Sequence, residues 1–377
     1  MSSAIKLLFT GDVFIRNEPG NMLSGKLQEL FSGHDIKSCN FEAPVESGGL
    51  KQIPKAGSYL LQPEHALKAL KNAGFNFFSL ANNHIYDYGD EGLKNTINNL
   101  EDAPFAGAGM DFNTAYQLKK ITLQDTAIGF LSFCESEFGA LTSNDPARGG
   151  YAWVNHHSVN ERISTAKNEC DVLILQVHAG VEEIEIPLPE WRQRYHELIN
   201  LGADIVIGHH PHVPQGWEKY NDKFIFYSLG NFYFDMESGH KYWNDSFIVS
   251  VEVTGKKISS VNPLPVKRTG NIVEINEDKA FLQYADYLCG LLNSPEYIKL
   301  SDDIAVDLWN TRYKKYYTSA MNGLSGSDSI LKIIKVLGRK IFPGKSQKKN
   351  MLLLLHNIRI ESHRWAVQRA LSVLAES

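Results

Sequence analysis

Cysteine is scarce in this chain. Cys39, Cys134, Cys170 and Cys289 are the only four in 377 residues, and no two form a CxxC pair. That spacing excludes a disulfide framework and a Cys-rich structural zinc site, and it leaves reduced, buried thiols as the reading. Long hydrophobic runs are missing as well. The strongest, residues 351–355, falls far short of the ~20 residues a membrane-spanning helix needs. The apolar run 5–9 is broken by Lys6 and leads through Thr10 into Gly11-Asp12. It reads as a first strand rather than a secretory leader, so a cytoplasmic protein without a transmembrane segment is expected. Neither sign of charge dominates. A formal net charge of −5, with no dense basic block, argues against a nucleic-acid partner. No Gly-rich P-loop is present, which disfavours ATP-driven ligation by this chain alone. Internal repeats and low-complexity tracts are absent.

One pattern recurs instead. A short apolar, β-prone run ends abruptly in polar residues able to bind metal. Residues 5–10 run into Gly11-Asp12, 36–39 into Asn40-Phe41-Glu42, and 75–81 into Asn82-Asn83-His84. Residues 172–177 run into His178, 205–207 into His209-His210-Pro211-His212, and 224–228 into Gly230-Asn231. Between several of these runs, 64–74 and 90–100 carry apolar residues at helical spacing. Residues 189–202 open on Pro and an acid and close on Leu-Gly. Strands alternating with helices argue an α/β architecture. Ligands in such sheets gather outside the carboxyl ends of the strands, so these polar tails should converge. After Phe234 the alternation in 247–253, followed by Gly255 and Pro263, reads as hairpin strands closing a sheet. The rest looks helical. The expected division is a 1–270 domain and a 271–377 helical extension. In the extension, 322–328 reads as a loop and 350–374 as one amphipathic helix. The basic run 339–349 reads as a solvated loop or as a contact for an acidic partner or a membrane surface.

Asp12 and Glu42 offer carboxylates, Asn83 a carbonyl oxygen, and His178, His210 and His212 imidazoles. Hard divalent ions take such oxygens, and Mn²⁺, Fe²⁺ and Zn²⁺ also accept imidazole. A mixed N/O set without thiolate suits a catalytic site with open positions. In His210-Pro211-His212, Pro211 is expected to hold His210 extended, so that the two rings share a face. His209 reads as a spacer or a supporting residue. His84 titrates near neutral pH and could serve as an acid or a charge stabiliser, with Asp87 orienting its ring. Glu182 is expected behind a ligand histidine, and Asn231 near a substrate oxygen. Each residue also has an ordinary reading taken singly: a Gly-Asp turn for Asp12, a helix cap for Asn82-Asn83, a histidine-rich surface loop for 209–212. Their common place at strand ends favours a site.

The stretches TGDVF, NFEAPV, LANNHIYDYGDEGLKNT, HAGVE, LGADIVIGHHPHVPQGWE and FYSLGNFYFD occur in that order. Together they resemble the bacterial capsule-synthesis CapA family (poly-γ-glutamate capsule biosynthesis), a branch of the calcineurin-like metallophosphoesterases. The resemblance implies a four-layer α/β/β/α sandwich with one or two divalent ions, whether Mn, Fe, Zn or Mg. By motif, Asp12 falls in the first acid motif, Glu42 at the bridging carboxylate, Asn83-His84 at the ligand and catalytic imidazole, and His178, His210 and His212 at the histidine ligands. It further implies a phosphorylated or anionic substrate and partners among capsule or polysaccharide biosynthesis proteins. Two functions follow: a metal-dependent phosphoesterase-like hydrolase, or a non-catalytic metal-binding component of the assembly machinery. Phe14 stands where the wider superfamily has a histidine, Glu42 where it usually has Asp, and Ala179 where an aromatic is commoner. The HNIRIESHRWAVQRAL helix is similar to tails of relatives in surface-polysaccharide gene sets.

Overall fold

A computed structural model describes residues 4–145, 147–322 and 346–376. Most of the expected 322–328 loop, and the basic run 339–349 up to residue 345, lie outside the described residues.

Two mixed sheets pack face to face. The first runs in the order Ile272–Ile275, Lys257–Thr269, Asp245–Thr254, Ile5–Phe14, Ile36–Phe41, Phe77–Ser79, Phe105–Ala106, with Asn231–Phe234 pairing the end of Ile5–Phe14. The second runs Trp217–Tyr220, Lys223–Phe226, Ile205–His209, Val172–His178, Thr126–Cys134, Lys119–Leu123. The central strands of each are parallel, which is why their sequences are nearly continuous apolar runs: both faces are covered. Period-two alternation then assigns each side chain to a layer. Leu7, Phe9, Ile174 and Ile207 point into the core between the sheets, where Phe77 and Phe130 meet with ring centroids 4.3 Å apart. Leu8 faces helices Gly25–Ser32 and His65–Asn72 through Leu27, Phe31, Leu67 and Leu70. Leu173 and Leu175 face helices Val159–Asn168 and Pro189–Asn200 through Ile163, Trp191, Tyr195 and Leu198. The result is the four-layer α/β/β/α sandwich. All four cysteines are free.

The C-terminal helices Lys279–Leu292, Glu296–Leu308, Ser346–Arg359 and Glu361–Glu376 follow. Leu288, Leu291, Leu308, Ala366 and Val367 join the same outer core as Trp191 and Tyr195. The expected single helix over 350–374 is two helices, broken at Ile360. Neither proline nor glycine stands at the break. Tertiary bonds decide it: Glu361 and Ser362, both buried, turn to meet groups of the second sheet rather than continue the first helix's face. Among the described residues no helix is long and apolar enough to cross a membrane.

One ionic knot ties helix Pro189–Asn200 to the edge strand Trp217–Tyr220. The buried Glu218 carboxylate accepts from Arg192 Nε (2.9 Å) and Nη2 (2.6 Å), from His196 Nε2 (2.7 Å) and from the Tyr227 hydroxyl. Burial raises its pKa, but these donors outweigh burial and hold it at about 2. A carboxyl depressed below its unfolded value of about 4.3 stabilises the fold above that pH, and the stabilisation fades as pH falls toward 2. We expect Glu218→Gln to lower stability by roughly 2–3 kcal/mol at pH 7 in urea unfolding. The gap to wild type should close between pH 4.5 and 2; a gap independent of pH would contradict the ionic role.

Candidate metal centre

The strand ends converge as the pattern implied. Asp12, near the end of Ile5–Phe14, is in register with Asn40 on one side and Asn231 on the other. Gly11 before it is obligatory, because a Cβ there would lie 1.8 Å from the Gly230 carbonyl oxygen. That close approach lets the Asp12 amide donate to Gly230 O at 3.0 Å. On the facing sheet His178 pairs with His209, and the next residues turn His210 and His212 toward Asp12 and Glu42.

His210 and His212 have φ of +99° and +61°. His210 is therefore not in the extended conformation that Pro211 is expected to impose. Such backbone costs on the order of 1–3 kcal/mol per residue and persists only where the surroundings enforce it. Here the His210 amide donates to Asp12 Oδ2 at 3.1 Å, and the Pro211 carbonyl accepts from the Glu183 amide at 2.9 Å. The turn aims both imidazoles into the cleft.

The lone-pair-bearing atoms crowd together there. His178 Nε2 lies 2.9 Å from His210 Nδ1, 3.1 Å from Asn83 Oδ1 and 3.7 Å from Glu42 Oε1. His212 Nε2 lies 3.5 Å from Glu42 Oε1. Metal–ligand bonds of about 2.0–2.2 Å place neighbouring ligand atoms about 3.0–3.5 Å apart, and these spacings lie within or close to that range. Two overlapping groups have ligand atoms within 4.8 Å of one another: Asp12, Glu42 and His178, and Glu42, His210 and His212. Glu42 belongs to both.

Supporting groups fix the rings. Asn231 Nδ2 donates to the Trp243 carbonyl at 3.0 Å, which turns Asn231 Oδ1 toward His212 Nδ1, also at 3.0 Å. Asn231 thus orients His212, leaving Nε2 facing Glu42. Asn40 Nδ2 donates to Asp12 Oδ1 at 2.8 Å and lies 3.0 Å from His178 Nδ1. His209 stays buried behind Asp12, its Nδ1 3.6 Å from Asp12 Oδ1. The carboxylate facing His210 Nε2 at 3.7 Å is Glu135. Glu182 retains solvent-accessible surface; desolvation of its carboxyl by the surrounding protein raises its pKa, but the nearby His210 and His212 outweigh this and hold it at about 2. Phe14 is enclosed by Phe234, Trp243, Ala43 and Leu60 and offers no ligand.

Asn82 and Asn83 do not cap a helix, since the next one starts at Gly89 after Tyr88. His84 Nδ1 meets Asp87 Oδ2 at 2.7 Å, and Asp87 also takes the Leu60 amide at 2.8 Å and the buried Lys55 ammonium. Burial holds the His84 pKa below its ordinary value; the Asp87 charge opposes that and Lys55 adds to it.

Sequence reasoning missed Asn40, Lys55, Glu135 and Glu137. Asn40 and Glu135 carried a signal, because each follows an apolar run like the residues that were chosen. Glu137, buried and pushed up to about 7 by burial against the opposing charge of Lys55, sits two residues beyond Glu135. Lys55 lies in a loop with nothing around it in sequence to mark it.

The deciding feature is Glu42. Its side chain is fully buried and neither carboxylate oxygen has a hydrogen-bond partner. Burial first, then the Asp12 charge, push its pKa well up, and burial, then neighbouring imidazoles, push His178 well down. A buried carboxylate aimed at two imidazoles and left unbonded has the chemistry of a cation ligand. Residues 6–236, which hold every candidate ligand, match the family described as bacterial capsule synthesis protein PGA_cap. The chain belongs to this family. Similar relatives include the capsule biosynthesis protein CapA of Bacillus anthracis (34% identity over 62% of this chain and 58% of that one) and the PGA biosynthesis protein CapA of Bacillus subtilis (33% over 64% and 66%). The chain thus spans about three-fifths to two-thirds of those PGA_cap relatives. Among solved structures, a hypothetical protein from Thermus thermophilus aligns over 70% of this chain and 100% of its own, at 15% identity and a TM-score of 0.46. The NAD nucleotidase of Haemophilus influenzae aligns over 76% and 56%, at 13% and 0.40. Likenesses this distant bear on no chemistry.

An unbonded buried carboxyl costs about 1–3 kcal/mol. We expect Glu42→Met to raise the thermal stability of protein kept in EDTA by an amount of that order. A loss of stability would mean that Glu42 has partners in the metal-free fold.

Proposed function

We propose that this PGA_cap protein is a metal-dependent, phosphoesterase-like hydrolase serving capsule or exopolysaccharide biosynthesis of the poly-γ-glutamate type, with residues 1–270 carrying the site. The observation that carries the proposal is Glu42, shared by two ligand groups and otherwise unbonded. One ion would be held by Asp12, Glu42 and His178, and a second by Glu42, His210 and His212, with Asn83 Oδ1 beside His178 Nε2. Divalent ions in such a site supply Lewis acidity and make water a competent nucleophile near neutral pH.

This chain's own residues supply the rest. His84 is held by Asp87 through Nδ1, so its Nε2 is the nitrogen left for substrate. Arrival of an anionic phosphoryl group favours the protonated ring, which then donates to the leaving oxygen while Asp87 balances its charge. Lys55 fixes Asp87 from behind, so the carboxylate cannot swing away. A phosphorylated or otherwise anionic substrate fits these donors.

A second reading, a non-catalytic metal-binding component of the assembly machinery, is favoured by Phe14. Its apolar enclosure removes one imidazole from the group that includes Asp12. Assays on phosphomono- and diesters with Mn²⁺ separate the two. Hydrolysis is expected, with His84→Ala lowering kcat by about 10²–10⁴ at unchanged metal content. No turnover on any ester, and no effect of His84→Ala, would sink the hydrolase and leave the binding component.

Burial pushes the Glu42 carboxyl well up, and a ligand carboxyl must be deprotonated to hold a cation. Mn²⁺ affinity should therefore rise with pH, and calorimetry in buffers of different ionisation enthalpy should register proton release. Affinity independent of pH would contradict the raised pKa of Glu42.

A further inference from the structure

Glu135 is a fully buried carboxylate between the candidate metal ligands and the C-terminal extension. On one side its Oε1 accepts from the Gly180 amide at 3.1 Å and faces His210 Nε2 at 3.7 Å. On the other side it is held by a single residue of the extension. The Ser362 amide donates to Oε2 at 2.9 Å, and the Ser362 hydroxyl donates to Oε1 at 2.8 Å. Ser362 is itself buried, and its hydroxyl oxygen accepts from Trp191 Nε1 at 2.8 Å. The neighbouring Glu361 locks this turn to the domain. Its carboxylate accepts from the Ser136 amide at 2.8 Å, Trp153 Nε1 at 2.8 Å and Asn155 Nδ2 at 2.9 Å. These bonds occur at the helix break after Ile360, where the sequence alone predicts an unbroken helix.

We infer that the extension is a working part of the metal centre: Ser362 positions Glu135, and Glu135 orients the imidazole of His210. This rests on the reading of His210 as a metal ligand. Two donors from one serine fix both carboxylate oxygens, so Glu135 cannot rotate. A fixed carboxylate 3.7 Å from Nε2 favours the proton on that nitrogen and leaves the Nδ1 lone pair on the side of His178 Nε2, 2.9 Å away. A carboxylate behind a ligand histidine fixes its tautomer and raises its basicity, and losing such a partner typically costs about 10–100-fold in metal affinity. Unlike the unbonded Glu42, Glu135 has both its oxygens satisfied by protein donors, which suits a positioning role. His363, the next residue, packs tilted against Tyr313 at 4.8 Å and edge-on against His356 at 5.2 Å, and the His356 ring lies 6.0 Å from Phe138. The same turn is thereby anchored on both flanks, so its position relative to Glu135 is set by packing as well as by hydrogen bonds.

The test is Mn²⁺ titration by calorimetry on the full chain, with thermal unfolding in EDTA alongside. Ser362→Ala and Glu135→Gln should each weaken Mn²⁺ binding by about 10–100-fold. Trp191→Phe removes the other bond to Ser362 without touching Glu135; it should lower the unfolding temperature and leave Mn²⁺ affinity at the wild-type value. Wild-type affinity in both folded Ser362→Ala and folded Glu135→Gln would overturn the inference while leaving the metal site standing. Should Ser362→Ala fail to fold, Glu135→Gln decides alone. A wild-type protein that takes up no Mn²⁺ would instead overturn the metal reading itself.

Discussion

A carboxylate buried without a partner is the constraint around which this structure is arranged. Glu42 lies at the end of the second strand of a sheet whose other ends carry Asp12, Asn83 and Asn231, and the facing sheet contributes His178, His210 and His212. Water would ordinarily satisfy such a group, and burial denies it water. Folding brings it to a place where imidazoles and another carboxylate are near, and burial pushes the Glu42 carboxyl well up and the His178 imidazole well down, each toward its neutral form. A fold tolerates that cost where a cation relieves it.

The remaining structure holds this arrangement in place. The two-sided apolar strands make the sheets rigid, so strand ends stay aligned. Gly11 lets two backbones touch, and that contact carries Asp12 to its position. Positive φ at His210 and His212 stores strain that the Asp12 carboxylate and the Glu183 amide maintain. Behind the rings stand Asn231, Asn40 and Glu135, each turned by a further bond. The C-terminal helices enter through Ser362 and Glu361, which tie the outermost layer to the centre.

Much of this was legible in the sequence, for a physical reason. Parallel strands buried on both faces must be apolar, so the point where the apolar run stops marks the strand end, and in an α/β sheet that is where ligands gather. Asp12, Glu42, Asn83, His178, His210 and His212 were picked out that way as candidates and converge in the fold, and the His84–Asp87 pair was picked out by its spacing. What escaped depends on tertiary contact. The break at Ile360 has no local cause and exists because Glu361 and Ser362 find partners more than 200 residues away in sequence. Lys55 is one lysine in a polar loop until folding brings it against Asp87. The backbone of His210 reversed the expectation from Pro211, because a bond to Asp12 outweighs a local preference. The role of Asn231 changed for the same reason: its amide is already committed to Trp243 and His212.

Membership of the capsule-synthesis family sets the biological frame, and the chemistry turns on whether a cation occupies the cleft. Crystals grown with Mn²⁺ and measured for anomalous scattering test this most directly. The expected map has a peak bonded to Glu42, with His178 and Asp12 or His210 and His212 completing its ligands. A map without a peak in the cleft, at Mn²⁺ concentrations in the millimolar range (roughly those that fill weak divalent sites), would contradict the central role given to Glu42.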